Sequence, residues 1–242
     1  MFFLLLRPMG QNKLERFAAI KTYPNVLEYP QGMAGQWHQH FGNNHPITLE
    51  LACGKGEYAV GLGRLYPQRN FIGVDVKGNR LWRGATTALQ DGLSNVAFLR
   101  TQIEQIGQYF APGEVAEIWI TFPDPQLRAS KAKKRLTHPR FLRYYQQFVQ
   151  PNGTINLKTD SPDLFNFTKL VINLYQLELL VEYDDAYSLA NIPQDLRIQT
   201  YYESLDIAKS NKIHYLQFRI NKTLNEATDN TLKQLIGGEQ NG

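Results

Sequence analysis

A strand, a glycine turn and a helix follow one another without a break over residues 46–65, and this junction restricts the fold more than any other stretch. Residues 47–51 (Ile-Thr-Leu-Glu-Leu) read as a strand, Ala52-Cys53-Gly54-Lys55-Gly56 as a turn, and residues 57–65 as a helix. Glycines at such a junction let a ligand approach the main chain and expose the amides of a helix N-terminus. A second strand, residues 70–74, ends in Asp75, at the spacing from the turn where an acid reaches ribose hydroxyls. A helix over 78–90 follows, with Gly92 as its stop. Strands over 95–99, 115–122, 154–158, 177–183 and 213–220 continue the series. Strands that alternate with helices predict a doubly wound α/β fold with a mostly parallel sheet.

The strand over 115–122 runs directly into Pro123-Asp124-Pro125. Two prolines fix φ and lack an N–H, so regular pairing ends there and Asp124 is held on a stiff turn. Ligands of open α/β sheets bind at the carboxyl ends of the strands, which makes Asp124 the candidate catalytic carboxylate. Beyond it, residues 128–143 hold Arg128, Lys131, Lys133, Lys134, Arg135, Arg140 and Arg143 and no acid. Those seven of the 26 Lys and Arg leave the rest of the chain net acidic against 22 Asp and Glu, so the formal charge of +4 is concentrated in one lobe. Basicity gathered in this way predicts a surface for a polyanion, with phosphates on Lys131, Lys133, Lys134 and Arg135. Further on, Lys158-Thr159-Asp160-Ser161-Pro162 brings a second carboxylate to the same edge of the sheet. Asp160 also suits the N-cap region of a helix over 163–175. Thr200-Tyr201-Tyr202-Glu203 has the spacing of a capping box.

The chain's 242 residues suit one large domain with an arm. Residues 1–45 have no clear period and read as an N-terminal arm packed on the domain. Residues 46–221 form the domain, and the polar residues 222–242 read as a flexible C-terminal tail. A single cysteine, Cys53, excludes a disulfide framework and a Cys-rich zinc site. His38 and His40 lack the further ligands that a metal site needs, so no metal is expected. The apolar run over residues 2–6 is too short for a signal segment, and no stretch approaches the roughly 18 apolar residues of a membrane span. A soluble, cytoplasmic protein is expected, monomeric or homodimeric.

Gly54-x-Gly56-x-x-Ala59 with Asp75 also satisfies a loose dinucleotide fingerprint. Glu50, at the end of the first strand, argues against it, because a carboxylate there would face a pyrophosphate unfavourably. It suits the cationic α-amino group of S-adenosylmethionine instead. Taken together, the residues resemble the tRNA (guanine-N7)-methyltransferase family over most of 47–220. The likeness is carried by Leu49-Glu50-x-x-x-Gly54-x-Gly56-Glu57, by Asn70-Phe71-Ile72-Gly73-Val74-Asp75 and by Phe122-Pro123-Asp124-Pro125 with the basic run ending Lys133-Lys134-Arg135. It continues in Pro151-x-Gly153, Thr159-Asp160 and Thr200-x-x-Glu203.

The resemblance implies the class I methyltransferase sheet of seven strands, the last antiparallel. The implied reaction moves a methyl group from S-adenosylmethionine to N7 of a guanine in the variable loop of tRNA. The implied cofactor site is Glu50, Gly54, Gly56, Asp75, Gln102 and Asp124. The implied substrate site is Arg128, Asp160, Thr200 and Glu203. The chain departs from the family pattern at Ala52 (usually Gly), Gln102 (usually an acid), Gln126 (usually Trp) and Arg128 (usually Lys). Two other readings are an RNA-binding module on a degenerate methyltransferase fold and a methyltransferase acting on an exocyclic base amine. The second usually carries Asn/Asp-Pro-Pro-aromatic, and the order here is Pro-Asp-Pro-Gln.

Overall fold

The computed structural model of the protein describes residues 9–205, 209 and 211–238. The chain opens with α1 (Met9–Ile20), β1 (Val26–Glu28) and α2 (Trp37–Phe41). Next come β2 (Ile47–Leu51), α3 (Glu57–Leu65), β3 (Asn70–Asp75), α4 (Gly78–Gln90) and β4 (Val96–Arg100). The second half holds β5 (Val115–Thr121), α5 (Pro139–Tyr145), β6 (Val149–Thr159), α6 (Pro162–Leu174), β7 (Glu178–Tyr183), β8 (His214–Arg219) and α7 (Thr228–Gly238).

These strands form one sheet in the order β1-β4-β3-β2-β5-β6-β8-β7. Neighbours from β1 to β6 pair in parallel, and β8 runs antiparallel to both β6 and β7. The chain winds outward from β2 to β4 and returns to place β5 beside β2. Connections therefore diverge at the carboxyl ends of β2 and β5, and that divergence opens a crevice. The seven expected strands are present, with the last one antiparallel. Every residue of β2 and β3 is buried, as expected where helices cover both faces of a parallel sheet. Alternate residues feed two cores: Ile118 and Ile120 face one, and Trp119 between them joins Tyr58 and Phe98 in the other.

The single acid within β5, Glu117, lies at the other end of the strand from the crevice. It accepts hydrogen bonds from Arg69, Thr48 and Asn156, and these offset the cost of burying it. Its role is structural.

Both ends of the described chain are more regular than their sequences suggest. The arm supplies an eighth strand, β1, which pairs with β4 from Val26 opposite Phe98 to Glu28 opposite Arg100. Trp37 of the arm is fully buried, stacks on Phe110 and donates its indole N–H to the Tyr109 carbonyl at 2.8 Å. At the other end, the stretch expected to be a flexible tail carries α7 over Thr228–Gly238. Its Leu232 is 1% exposed, and Arg143 grips Asp229 through two guanidinium nitrogens at 2.7 and 3.0 Å. A forked ion pair with a distant arginine and two buried leucines, Leu224 and Leu232, outweigh the polar composition that suggested fraying. Residues 239–242 lie outside the described residues.

Candidate active site

The crevice over the sheet is a cleft of about 760 Å³, inside the range of about 300–1,000 Å³ common to small-ligand sites. Asp75 at the end of β3, Asp124 after β5, and Asp160 and Asp163 at the start of α6 all line it, with Lys77 and Arg80 on the α4 side. The balance of charge inside the cleft is acidic, which suits a cation.

The loop after β2 reaches the cleft through Ala52, whereas Gly54 and Gly56 are buried and lie off its lining. Gly54 and Gly56 lie at φ +56° and +68°, which L side chains rarely adopt. A Cβ on Gly56 would come within 2.4 Å of the Phe98 ring, so that position excludes any side chain. Asp75 stitches this loop to α4, accepting the amide of Gly54 at 2.9 Å and that of Lys77 at 2.8 Å. Ala52 lies at φ +53°. Its backbone keeps the conformation that glycine adopts freely, at a cost of roughly 1–2 kcal/mol for an L residue.

Glu50 does not line the cleft. It is 3% exposed and lies behind the loop, accepting the amide of Ala59 at 2.8 Å and the hydroxyl of Thr121 at 3.0 Å. Burial pushes its carboxyl up to about 8, against the pull of those two hydrogen bonds. Glu50 thus ties β2, α3 and β5 together beneath the site, and the expected direct contact with a ligand's amino group is not what its geometry offers. Gln102 lies two residues beyond β4, exposed and off the lining of the cleft.

The loop after β5 forms the opposite wall with Phe122, Pro123, Asp124, Pro125 and Leu127. Phe122 and Gln126, on either side of the Pro-Asp-Pro triplet, both have positive φ, +46° and +48°. Two non-glycine residues in that region strain the turn, and such strain persists only where the surroundings over-determine it. Asp124 Oδ1 accepts the Gln126 amide at 3.0 Å, closing an Asx turn, and the carboxylate is exposed to the cleft.

Arg135 holds this turn from below. The sequence places it with the phosphate-binding cations, but it is 6% exposed. Its guanidinium donates to the carbonyls of Pro125 at 3.1 Å, Gln126 at 3.2 Å and Leu127 at 3.5 Å, and lies over the Phe167 ring. Three carbonyls facing one way need a planar donor fork, which arginine supplies. Lys131, Lys133 and Lys134 stay exposed on a short 3₁₀ turn (Ala129–Lys134), with Arg128 exposed just before it. The basic lobe therefore divides: Arg135 and Arg143 brace the fold, and the others face solvent.

Asp160 lines the cleft without capping α6; Ser161 is the cap, accepting the Leu164 amide at 3.3 Å. The last wall is Tyr202, carried by the segment over residues 196–203. Thr200 and Glu203 form the capping box in both directions, at 3.1 and 3.4 Å. Glu203 also pairs with Lys158 at 3.1 Å and accepts the Tyr187 hydroxyl, with its side chain only 7% exposed. Lys158, fully buried, donates in addition to the carbonyls of Leu196 at 3.0 Å and Ile198 at 2.9 Å. Burial lowers its pKa and the Glu203 charge opposes that shift. Thr200 and Glu203 are therefore off the cleft; what their network presents to it is Tyr202. Tyr202, Lys77 and Arg80 are lining residues that sequence reasoning missed. For Tyr202 the one available signal was Lys158, a lysine at the buried end of β6 that needs a partner; Lys77 and Arg80 had no such signal.

A doubly wound α/β sheet with an acid-lined cleft at its switch point fits an S-adenosylmethionine-dependent methyltransferase of class I. The fold alone is shared with the 16S rRNA methyltransferase KamB, at 14% identity and a TM-score of 0.58 over 80% of this chain and 97% of that one. An antibiotic-related methyltransferase superposes similarly, at 16% identity and a TM-score of 0.57 over 76% of this chain and 92% of that one. Residues 44–216 match the family model described as "Putative methyltransferase". The tRNA (guanine-N(7)-)-methyltransferase of Bacteroides thetaiotaomicron is 51% identical over 88% of this chain and 87% of its own. That of Porphyromonas gingivalis is 47% identical over 82% and 86%. The chain belongs to the tRNA (guanine-N7)-methyltransferase family.

Proposed function

We propose that this chain transfers a methyl group from S-adenosylmethionine to N7 of a guanine in the variable loop of tRNA. The observation that carries this reading is Asp124, displayed on a strained and braced turn inside an acid-lined cleft. S-adenosylmethionine supplies a methyl group on a positively charged sulfur. The residues present fit such a ligand: Asp75 lines the cleft with a lone pair on each oxygen beyond its two amide bonds, available to ribose hydroxyls, and the acids of the lining suit a cation.

Guanine N7 carries an in-plane lone pair and no proton, so its attack needs no general base. The family's reaction therefore asks for alignment and charge stabilisation. Asp124 Oδ1 is occupied by its own turn, and Oδ2 has no partner among the described residues. In this reading Oδ2 faces the target base and favours the positive charge that grows on its ring. Asp160, across the cleft, holds the substrate, and Arg128 and the lysines of the 3₁₀ turn take the backbone phosphates. Alignment in one cleft contributes the remainder through proximity.

The test is transfer of a labelled methyl group from S-adenosylmethionine to bulk tRNA, with the modified nucleoside identified by mass. The expected product is 7-methylguanosine. Methyl on an exocyclic amine, or cofactor binding without transfer, would overturn the reading.

A further inference from the structure

Next to the cleft, and sharing Arg80 as a wall, lies a second hollow of about 400 Å³. Arg16 of α1, Lys55 of the glycine loop, and Arg80 and Arg83 of α4 all line it, with Trp82 and Asn79. Four cations from three separate segments converge there. Among the described residues none of the four has a carboxylate at ion-pair distance. Three lie on aromatic faces instead. Arg16 Cζ is 4.8 Å from the Trp82 ring, Lys55 Nζ is 3.2 Å from that of Tyr201, and Arg80 Cζ is 5.6 Å from that of Tyr202.

The choice of partner matters chemically. A carboxylate would occupy a cation's N–H donors and cancel its charge. A ring face attracts the charge and leaves the donors available. The nearby acid, Glu57, is half-buried; burial raises its pKa, and Lys55 and Arg83 pull the other way. One such acid does not offset four cations. The hollow is positively charged and rich in free donors, as a site for phosphates requires.

Its place decides which phosphates. The hollow flanks the cleft on the β3–α4 side, whereas Arg128, Lys131, Lys133 and Lys134 follow the β5 loop on the other side. A nucleic-acid strand with one base in the acidic cleft leaves it in two directions. From this arrangement we infer that Arg16, Lys55, Arg80 and Arg83 form a second phosphodiester-binding site, which grips the RNA backbone on the side of the target base away from the lysine-rich turn. The inference rests on the proposed tRNA reading.

Two double variants test it, neither touching a residue that lines the cofactor cleft: Arg16→Ala with Arg83→Ala, and Lys133→Ala with Lys134→Ala. For each, tRNA affinity is measured across a salt series, and S-adenosylmethionine affinity by ligand-dependent thermal stabilisation. Removing Arg16 and Arg83 is expected to weaken tRNA binding about tenfold or more. It should also reduce the slope of log affinity against log salt by roughly 1.4–1.8, that is, about 0.7–0.9 for each phosphate that is no longer neutralised. S-adenosylmethionine affinity should stay at the parental value. An unchanged slope in that variant, with a reduced one in the lysine variant, overturns the second site and leaves the tRNA reading standing. Weakened cofactor binding with unchanged tRNA affinity assigns the hollow to the cofactor and overturns it as well. Parental slopes in both variants, with no methyl transfer to tRNA, would remove the tRNA reading and this inference together.

Discussion

The loop after β2 turns on Ala52, Gly54 and Gly56, at φ +53°, +56° and +68°, whereas the loop after β5 turns on Phe122 and Gln126, at +46° and +48°. In the first, two of the three special positions are glycines and cost little. In the second, both are L residues, each costing roughly 1–2 kcal/mol. The braces differ in the same sense. Acids hold the first loop by its amides: Asp75 takes that of Gly54, and Glu50 that of Ala59 in the following helix. A cation holds the second by its carbonyls, with Arg135 spanning those of residues 125–127. The first loop thus owes its shape to its own glycines, with a brace, Asp75, that lies 21 residues beyond Gly54. The other is a strained turn, kept in shape by a residue ten positions beyond Pro125.

The largest effect is expected from removing charge at the second loop without disturbing its shape. Asp124→Asn keeps an oxygen for the Gln126 amide, so the turn, the fold and tRNA binding should persist. Methyl transfer at saturating substrates should fall by about 10²-fold or more, the scale for one electrostatic contact to a transition state. A single-turnover rate within about threefold of the parent would leave Asp124 as a turn former.

Removing the brace is the next largest change. Arg135→Ala strands three carbonyls that share a buried donor, and a loss of roughly 1–3 kcal/mol in stability is expected. Transfer should slow about tenfold, by misplacing Asp124. Arg135→Lys should recover only part of either loss, because an ammonium cannot span three carbonyls in a plane. The salt dependence of tRNA binding should not change, in contrast to the Lys133 and Lys134 variants. A flatter salt slope in Arg135→Ala would return this arginine to the phosphate-binding set.

The first loop should respond to pH through Glu50, whose carboxyl is raised from 4.5 to about 8 by burial. Between those values the folded chain keeps a proton that the unfolded chain has released, so stability should fall as pH rises through that window. Glu50→Gln imitates the protonated acid, with an oxygen for the Ala59 amide and an NH₂ for Thr121. Melting curves from about pH 5 to about pH 9 should show a steeper fall in the parent than in the variant. Parallel curves would mean that Glu50 is charged throughout.

The smallest effect tests strain in the same loop. Ala52→Gly should stabilise the chain by up to about 1 kcal/mol, because relief at positive φ exceeds the entropy that glycine adds to the unfolded state. An equal or lower melting temperature would show that this loop carries no strain to relieve.

The order of strands and helices, the glycine loop and Asp124 were readable from neighbours within a few residues, and Asp75 from its spacing to the glycine turn. Periodicity marks a strand, a glycine marks positive φ, and two prolines mark a rigid turn. The sheet then brings Asp75, Asp124 and Asp160 to one edge because parallel strands all end on the same side. The rest was decided at long range. Nothing local separates Arg135 from Lys133 and Lys134, yet one is buried under the turn and two face solvent. Glu50 and Glu203 have the right residue type for a site. Partners 71 and 45 residues away, Thr121 and Lys158, help draw them inside. Likewise α7 is held by Arg143, across a separation of 86 residues. A charged side chain carries the same charge wherever it stands in the sequence; whether it meets a ligand or a buried partner depends on what the folded chain places opposite it.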